Sequence, residues 1–400
     1  MAADGETLKG RPQEVLWAFL KLGLTSFGGP VAHLAYFRSE FVERRRWLDD
    51  QRYSDLVALC QFLPGPASSQ VGMALGLGRA GWLGALAAWL GFTLPSAILL
   101  ILFALGVTQW AGLAESGLIH GLKLMAVAVV AQAVSGMAKS LCSDRLRGAI
   151  AIVAALIALV LASGYGQILA IVFGGIAGGA LLSLPHLAPQ EHQSPPLSRR
   201  TGACLLIVFA LLLFGLPALA ALDASPVMAA MAAFYQAGSL VFGGGHVVLP
   251  LLQESVVPTG WVSSEVFLAG YGAAQAIPGP LFTFAAFLGA AMPAPLGGWT
   301  GGILLLLAIF LPSILLVAGA LPYWEILRER DAIQRIMAGI NAAVVGILAA
   351  ALYDPVWTSA IQSRMDVVIA LAAYGLLVFA RWSPLVVIGL VVLTSSVLVA

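Results

Sequence analysis

Residues 60–66 read CQFLPGP and residues 274–280 read AQAIPGP, a Gln, two apolar residues and a Pro-Gly-Pro break repeated 214 positions apart. Proline removes a helical hydrogen-bond donor and clashes with the preceding turn, and glycine weakens a helix interior. Such a break, placed twice in apolar sequence, is a built feature. The surrounding residues say what it is built into.

Hydrophobic residues make up 60% of the 400 and charged residues only 10%, with a mean hydropathy of +0.96. A soluble domain carries about 25% charge. Apolar runs of the roughly 17–25 residues that span a bilayer core recur along the chain, among them 81–107, 201–222 and 298–320. They do not alternate as the strands of an outer-membrane barrel would. The expected fold class is an all-α polytopic membrane protein, with the lipid bilayer as its solvent. The start, MAADGETLKGRPQE, lacks a charged n-region followed at once by an apolar stretch, so no cleaved signal peptide is expected. Cys60, Cys142 and Cys204 lie in apolar surroundings without CxxC spacing, which indicates neither a disulfide framework nor a zinc site. Nothing points to nucleic acid, and no cofactor is expected.

The two halves echo each other beyond the Pro-Gly-Pro pair. Phe27-Gly28-Gly29-Pro30 lies opposite Phe242-Gly243-Gly244-Gly245, and Trp47 opposite Trp261. Leu94-Pro95-Ser96 matches Leu311-Pro312-Ser313, and Gly121-Leu122 matches Gly339-Ile340. The order is kept and the offset drifts only from 214 to 218. The expected organisation is an N-terminal repeat over 1–183, a cytoplasmic linker over 184–200 (LPHLAPQEHQSPPLSRR), a connecting transmembrane helix over 201–222 and a C-terminal repeat over 223–400. Internal duplication of this kind is typical of secondary transporters, whose substrate site lies at the repeat interface.

Arginine and lysine set the relative orientation of the halves, because short cytoplasmic loops are enriched in them. The segment after the first Phe-Gly-Gly carries Arg38, Arg44, Arg45, Arg46 and Arg52, whereas its counterpart from Gln253 to Ser263 carries none. Later the bias reverses: 108–117 has no Lys or Arg, while 321–338 has Arg328, Arg330 and Arg335. Equivalent loops facing opposite sides make an inverted repeat. If the Phe-Gly-Gly and Pro-Gly-Pro segments are broken or re-entrant and the N-terminus is cytoplasmic, all but Lys21, Lys123 and Arg364 of the 20 Lys and Arg fall inside. If each segment instead crosses once, the repeat stays inverted but the basic loops split between the two sides. The re-entrant reading is preferred, with 148–163 and 166–183 as short spans.

Broken helices free backbone N–H and C=O groups, which lipid cannot satisfy. Non-helical backbone at membrane depth is tolerated only inside protein or against a wet cavity. Pro66 and Pro280 are expected to start helices running to about Gly78 and Ala290. Helix N-termini expose N–H donors and the positive end of the dipole, a ready anion site. Ser68, Ser69 and Gln70 lie just behind the first break and Thr283 behind the second. Gln61 and Gln275 precede the two breaks. Thr25 and Ser26 precede the first Gly-Gly and Ser239 the second.

The paired Phe-Gly-Gly and Gln-x-x-Pro-Gly-Pro motifs, on a duplicated membrane chain of this length, resemble the chromate ion transporter family, in particular its long two-domain members. The resemblance covers essentially the whole chain. It implies movement of chromate, or of its near-isostere sulfate, as efflux across a bacterial inner membrane that confers chromate resistance. The motif positions it carries over are Phe27, Gly28, Gly29, Pro30, Gln61, Pro64, Gly65 and Pro66, with Phe242, Gly243, Gly244, Gly245, Gln275, Pro278, Gly279 and Pro280. Pro30 becomes Gly245 in the second half, followed by His246, so the two half-sites are not equivalent.

Each feature also has a plainer reading. Gly and Pro at helix contacts permit close packing, and a lone histidine is commonly structural. His246, on the second break, is a candidate for coupling proton movement to transport; His33 lies near the first break but not at the same repeat position. Lys21 is a candidate oxyanion contact, and Lys123 is expected to snorkel to the outer interface. The Glu40–Arg46 cluster reads as a solvated cytoplasmic face, with anion gathering at the inner mouth as a second role. No HExxH, Walker A or Ser/His/Asp set is present, so an enzyme is not expected and the energy must come from gradients or the membrane potential. The reading is an alternating-access anion carrier whose partners are chromate or sulfate, a proton or other coupling ion, and a second copy of the chain. An anion channel is the alternative.

Overall fold

The computed structural model describes residues 10–27, 29–109, 117–161, 164–183, 197–222, 225–242, 245–328 and 330–399, and every regular element among them is helical. The first half contains α1 (Pro12–Thr25), α2 (Gly29–Phe37) continued by a π-helical turn (Arg38–Arg44), α3 (Asp50–Phe62), α4 (Ala67–Gln109), α5 (Gly117–Leu141), α6 (Arg145–Val160) and α7 (Gly164–Leu181). A connecting helix, α8 (Arg199–Leu222), follows the linker, of which 184–196 lies outside the described residues. The second half contains α9 (Pro226–Leu240), α10 (Val248–Val256), α11 (Ser264–Ala276), α12 (Phe284–Ala291), α13 (Gly298–Ala320), α14 (Trp324–Arg328), α15 (Asp331–Ala351), α16 (Thr358–Ala360), α17 (Arg364–Val378) and α18 (Pro384–Val399).

Local sequence explains where these helices start and stop. Proline occupies the first turn of α1 and of α9, where its missing N–H costs nothing. Asp49 caps α3 by accepting from the Arg52 N–H, and Ser263 caps α11 by accepting from the Val266 N–H, the same device at an offset of 214. Likewise the Trp47 N–H reaches the Phe41 carbonyl as the Trp261 N–H reaches that of Val256. The long α4 is bent at Ala80–Gly81, where Gly81 takes a φ of +64°. Its first part is therefore a short helix starting directly after the first Pro-Gly-Pro. After the second, a 3-10 turn (Leu281–Thr283) leads into α12.

Among the described residues, five helical stretches are long and apolar enough to cross a membrane: Ala67–Val107, Gly117–Leu141, Arg199–Leu222, Gly298–Tyr323 and Asp331–Ala360. The chain is a multi-pass membrane protein. Four further apolar helices are shorter: α6 and α7, on the expected short spans 148–163 and 166–183, have 16 and 18 residues, and α17 and α18 have 15 and 16. At 1.5 Å per residue, 16 residues reach about 24 Å.

The halves interlock. Helix α5 of the first half packs against α17 and α18 of the second, while α15 packs against α6 and α7 of the first. Small residues allow these approaches. A Cβ built on Gly121 would stand 2.8 Å from the Val392 Cα, and one on its counterpart Gly339 would stand 2.5 Å from the Gly178 Cα. Lys123 of α5, expected at the outer interface, is instead buried at 7% exposure and within electrostatic reach of Glu265 at the start of α11.

The basic cluster after α2 is largely paired. Arg45 and Arg44 approach the buried Glu40 at 2.6 and 2.9 Å, and Arg38 holds Glu43 and Asp50 at 2.6 and 2.7 Å. Arg79 reaches Glu14 at 3.2 Å, and both Arg45 and Arg79 lie over the Trp47 ring. Burial alone would raise the pKa of Glu40, but hydrogen bonds and charge from Arg45 and Arg44 outweigh it and hold the carboxyl below its ordinary value. These ion pairs tie α1, the π-helical turn, α3 and α4 together, while Arg46 is exposed.

Candidate functional site

The two Pro-Gly-Pro turns do not close on their own halves. The Gly65 N–H donates to the Val241 carbonyl at 2.6 Å, and the Gly279 N–H donates to the Ser26 carbonyl at 3.1 Å. Val241 immediately precedes Phe242, and Ser26 immediately precedes Phe27. Each half therefore gives the amide of its Pro-Gly-Pro turn to the strand of chain leading into the other half's Phe-Gly-Gly. The turns depend on glycine: Gly65 has a φ of +123° and Gly279 of +113°, conformations that side chains rarely adopt.

The opposite half sets a serine hydroxyl over each glycine, joined at Gly65 by the Gln70 amide of its own half. A Cβ on Gly65 would meet the Ser313 Oγ at 3.0 Å, and one on Gly279 would meet the Ser96 Oγ at 2.8 Å. The two Phe-Gly-Gly segments also approach each other. A Cβ on Gly29 would have the His246 Nε2 at 4.0 Å, and one on Gly245 the Pro30 Cγ at 3.6 Å. Gly28, Gly243 and Gly244 lie outside the described residues. Ser96 and Ser313 entered the sequence reading only as repeat markers. The available signal was a hydroxyl placed directly after a proline in an apolar helix, twice.

The other expected site residues divide into two groups. Ser26, Ser68, Ser69, Gln70 and Thr283 are buried around the junction, with Gly65, Pro66 and Pro280. Phe27, Pro30, Pro64, Phe242, Gln275, Pro278 and His246 are half-buried there. Gln61 is exposed, so the two glutamines are not placed alike, and Lys21 and Thr25 are exposed on α1. Two of the buried groups brace the turns: the Gln70 Nε2 donates to the Pro64 carbonyl at 2.8 Å and the Thr283 hydroxyl to the Pro280 carbonyl at 2.7 Å. Both histidines are tied in by one nitrogen. The His246 Nδ1 pairs with the Tyr271 hydroxyl at 2.8 Å, and the His33 Nδ1 with the Ser68 hydroxyl at 3.4 Å.

What remains is a set of buried polar atoms without protein partners: Ser26 Oγ, Ser69 Oγ, Thr93 Oγ1, Ser313 Oγ, Gln275 Nε2 and His33 Nε2, with one amide acceptor, Gln70 Oε1. Leaving one such group unsatisfied costs about 1–3 kcal/mol, so a concentration of them calls for a ligand or water. The hydroxyls and the amide are able to donate. Segments 22–39, 56–78, 225–252 and 266–286 contain no Asp or Glu, and a donor-rich, carboxylate-free site suits an anion.

Comparison with known proteins agrees with this chemistry. A family model described as chromate transporter matches residues 13–179 and 228–396, one segment in each half. Among curated relatives, a chromate transport protein of Pseudomonas aeruginosa is 29% identical over 391 residues, covering 94% of this chain and 89% of its own. A probable chromate transport protein of Synechococcus elongatus is 28% identical, covering 84% of this chain and 82% of its own. A chromate transport protein of Cupriavidus metallidurans is 26% identical, covering 85% and 81%. No solved structure matches.

Proposed function

The chain belongs to the chromate transporter family, and from that premise we propose that it carries chromate outward across a bacterial inner membrane by alternating access, with the N-terminus cytoplasmic. A transporter rather than an enzyme is indicated by relatives named as transport proteins. The observation that carries the mechanism is the reciprocal pair of bonds from Gly65 to Val241 and from Gly279 to Ser26.

In this reading the tetrahedral dianion sits where the four breaks meet. Its oxygens take hydrogen bonds from the Ser69 and Ser313 hydroxyls, the Gln275 amide and the first N–H groups of the helix that starts at Ala67. Neutral donors let the dianion be bound without being trapped by a full countercharge. Each exchanged backbone bond contributes about 0.5–1.5 kcal/mol net. The two together are of the few-kcal/mol size that separates alternating conformers. Rocking the halves, inverted relative to each other as the arginine distribution supports, would exchange these bonds and expose the site to the other side. For an anion leaving a negative-inside cell, the membrane potential assists by about 2.3 kcal/mol per charge per 100 mV, so coupling through His246 or His33 is an addition and not a requirement.

Everted vesicles provide the test. Chromate uptake is expected to be saturable, competed by sulfate, and reduced in Ser313→Ala and Gln275→Ala. Normal flux in both variants would remove the site assignment, and ohmic, non-saturable flux would make the protein a channel.

A further inference from the structure

A polar cavity elsewhere in the fold is lined by none of the residues of the four breaks. It has a volume of about 240 Å³ and is lined by Gln167, Gln253, Glu254 and Asp354 among apolar residues of α6, α10 and α15. Gln167 and Gln253 are 9% and 8% exposed, and the Oε1 of each lacks a protein partner. The Gln167 amide is oriented without ambiguity, because its Nε2 donates to the Pro250 carbonyl at 3.1 Å, which a carbonyl oxygen could not do. Its free oxygen is therefore a true acceptor. Asp354 breaks the helix here, with φ −128° and ψ 115°, and accepts from the Thr358 hydroxyl at 3.1 Å.

The electrostatics all but point one way. The lining includes Ala158 and Leu159, Val257, and Ala350 and Ala351, so α6, α10 and α15 all end at the cavity, and helix C-termini carry the negative end of the dipole. The α7 N-terminus, which supplies Gln167, opposes them, as does the start of the short helical stretch that follows the extended Asp354. No Lys, Arg or His is among the described lining residues. We propose that this cavity binds a hard, oxygen-seeking cation of the sodium class, ligated by the Gln167 and Gln253 amide oxygens and the Glu254 and Asp354 carboxylates. Hard cations select such oxygen sets.

The site belongs to one junction only. At the repeat offset of 215, Arg38 stands in the place of Gln253, and at 218 Gly136 stands in the place of Asp354. Since α6 and α7 come from the first half and α10 and α15 from the second, a bound cation bridges the halves on the side where 253–263 lacks Lys and Arg.

Ion binding to the full chain in nanodiscs tests this without any transport measurement, so its outcome is separate from the oxyanion reading. Thermal unfolding is followed while sodium or calcium chloride replaces choline chloride at constant ionic strength. A saturable stabilisation by sodium or calcium is expected, with the midpoint weakened about 10-fold or more in Glu254→Gln and in Asp354→Asn. Direct binding of radioactive sodium or calcium to the unmodified protein gives the same answer if a variant fails to fold. No ion-specific stabilisation and no binding, or midpoints unchanged in both variants, would overturn the site.

Discussion

Gly65 and Gly279 hold sparsely populated positive-φ conformations that cost an alanine about 1–3 kcal/mol each, and the Cβ would also press on Ser313 or Ser96. Gly65→Ala and Gly279→Ala are therefore expected to lower the unfolding temperature and to abolish chromate flux, whereas Gly78→Ala, with open space around it, should leave flux intact; everted-vesicle uptake and fluorescence-detected unfolding check this. The glutamines should separate. Gln275→Ala removes a buried donor, and Gln61→Ala an exposed one, so the first should reduce flux several-fold more than the second. The Pro-Gly-Pro turns were legible in sequence because proline and glycine punctuate any helix. The inequality of the glutamines was not, since it depends on packing: α11 lies against α5, with Gly272 on the Leu122 carbonyl, while α3 ends with Phe62 beside Trp324.

At the scale of elements, the contact of α7 with α15 rests on Gly174, Gly178 and Gly339. Gly339→Leu would place a side chain into backbone, where overpacking costs about 1–3 kcal/mol or more, and the protein is expected to lose its monodisperse peak in size-exclusion chromatography. The π-helical turn makes a different prediction. Because the Glu40 carboxyl is held below its ordinary value of 4.5, it contributes stability above that pH and loses it as the pH falls through the lower folded value. Unfolding temperature should therefore drop more steeply as the pH is lowered below 4.5 in the native protein than in Glu40→Gln. Sequence placed Glu40 in a solvated charge run; it is instead buried with Arg44 and Arg45 on its carboxylate, next to a Phe41 stacked on Phe19, which no local pattern states.

For the whole molecule, the exchange of partners between α5 and α15 makes neither half a complete body. Co-expressed fragments cut within 184–196 are expected to co-purify and to transport chromate, while either fragment alone should be degraded; a single fragment that remains soluble in detergent and monodisperse would contradict the interlock. Composition and spacing made the helical membrane class readable, and the motif pairs the family. The interlock was hidden because it depends on which faces of α6, α7, α17 and α18 meet, and their sequences are apolar nearly all round.

The exchanged amides also bear on how such a protein can diverge. His33 faces Val248 across the repeat, Gln70 faces Phe284, and Tyr271 faces Val57. Those side chains have diverged between the repeats. The two glycine turns have not, because each is a fixed docking point for the opposite half's main chain. What the two halves share is a backbone shape, and a change at either glycine disturbs the main chain of the opposite half.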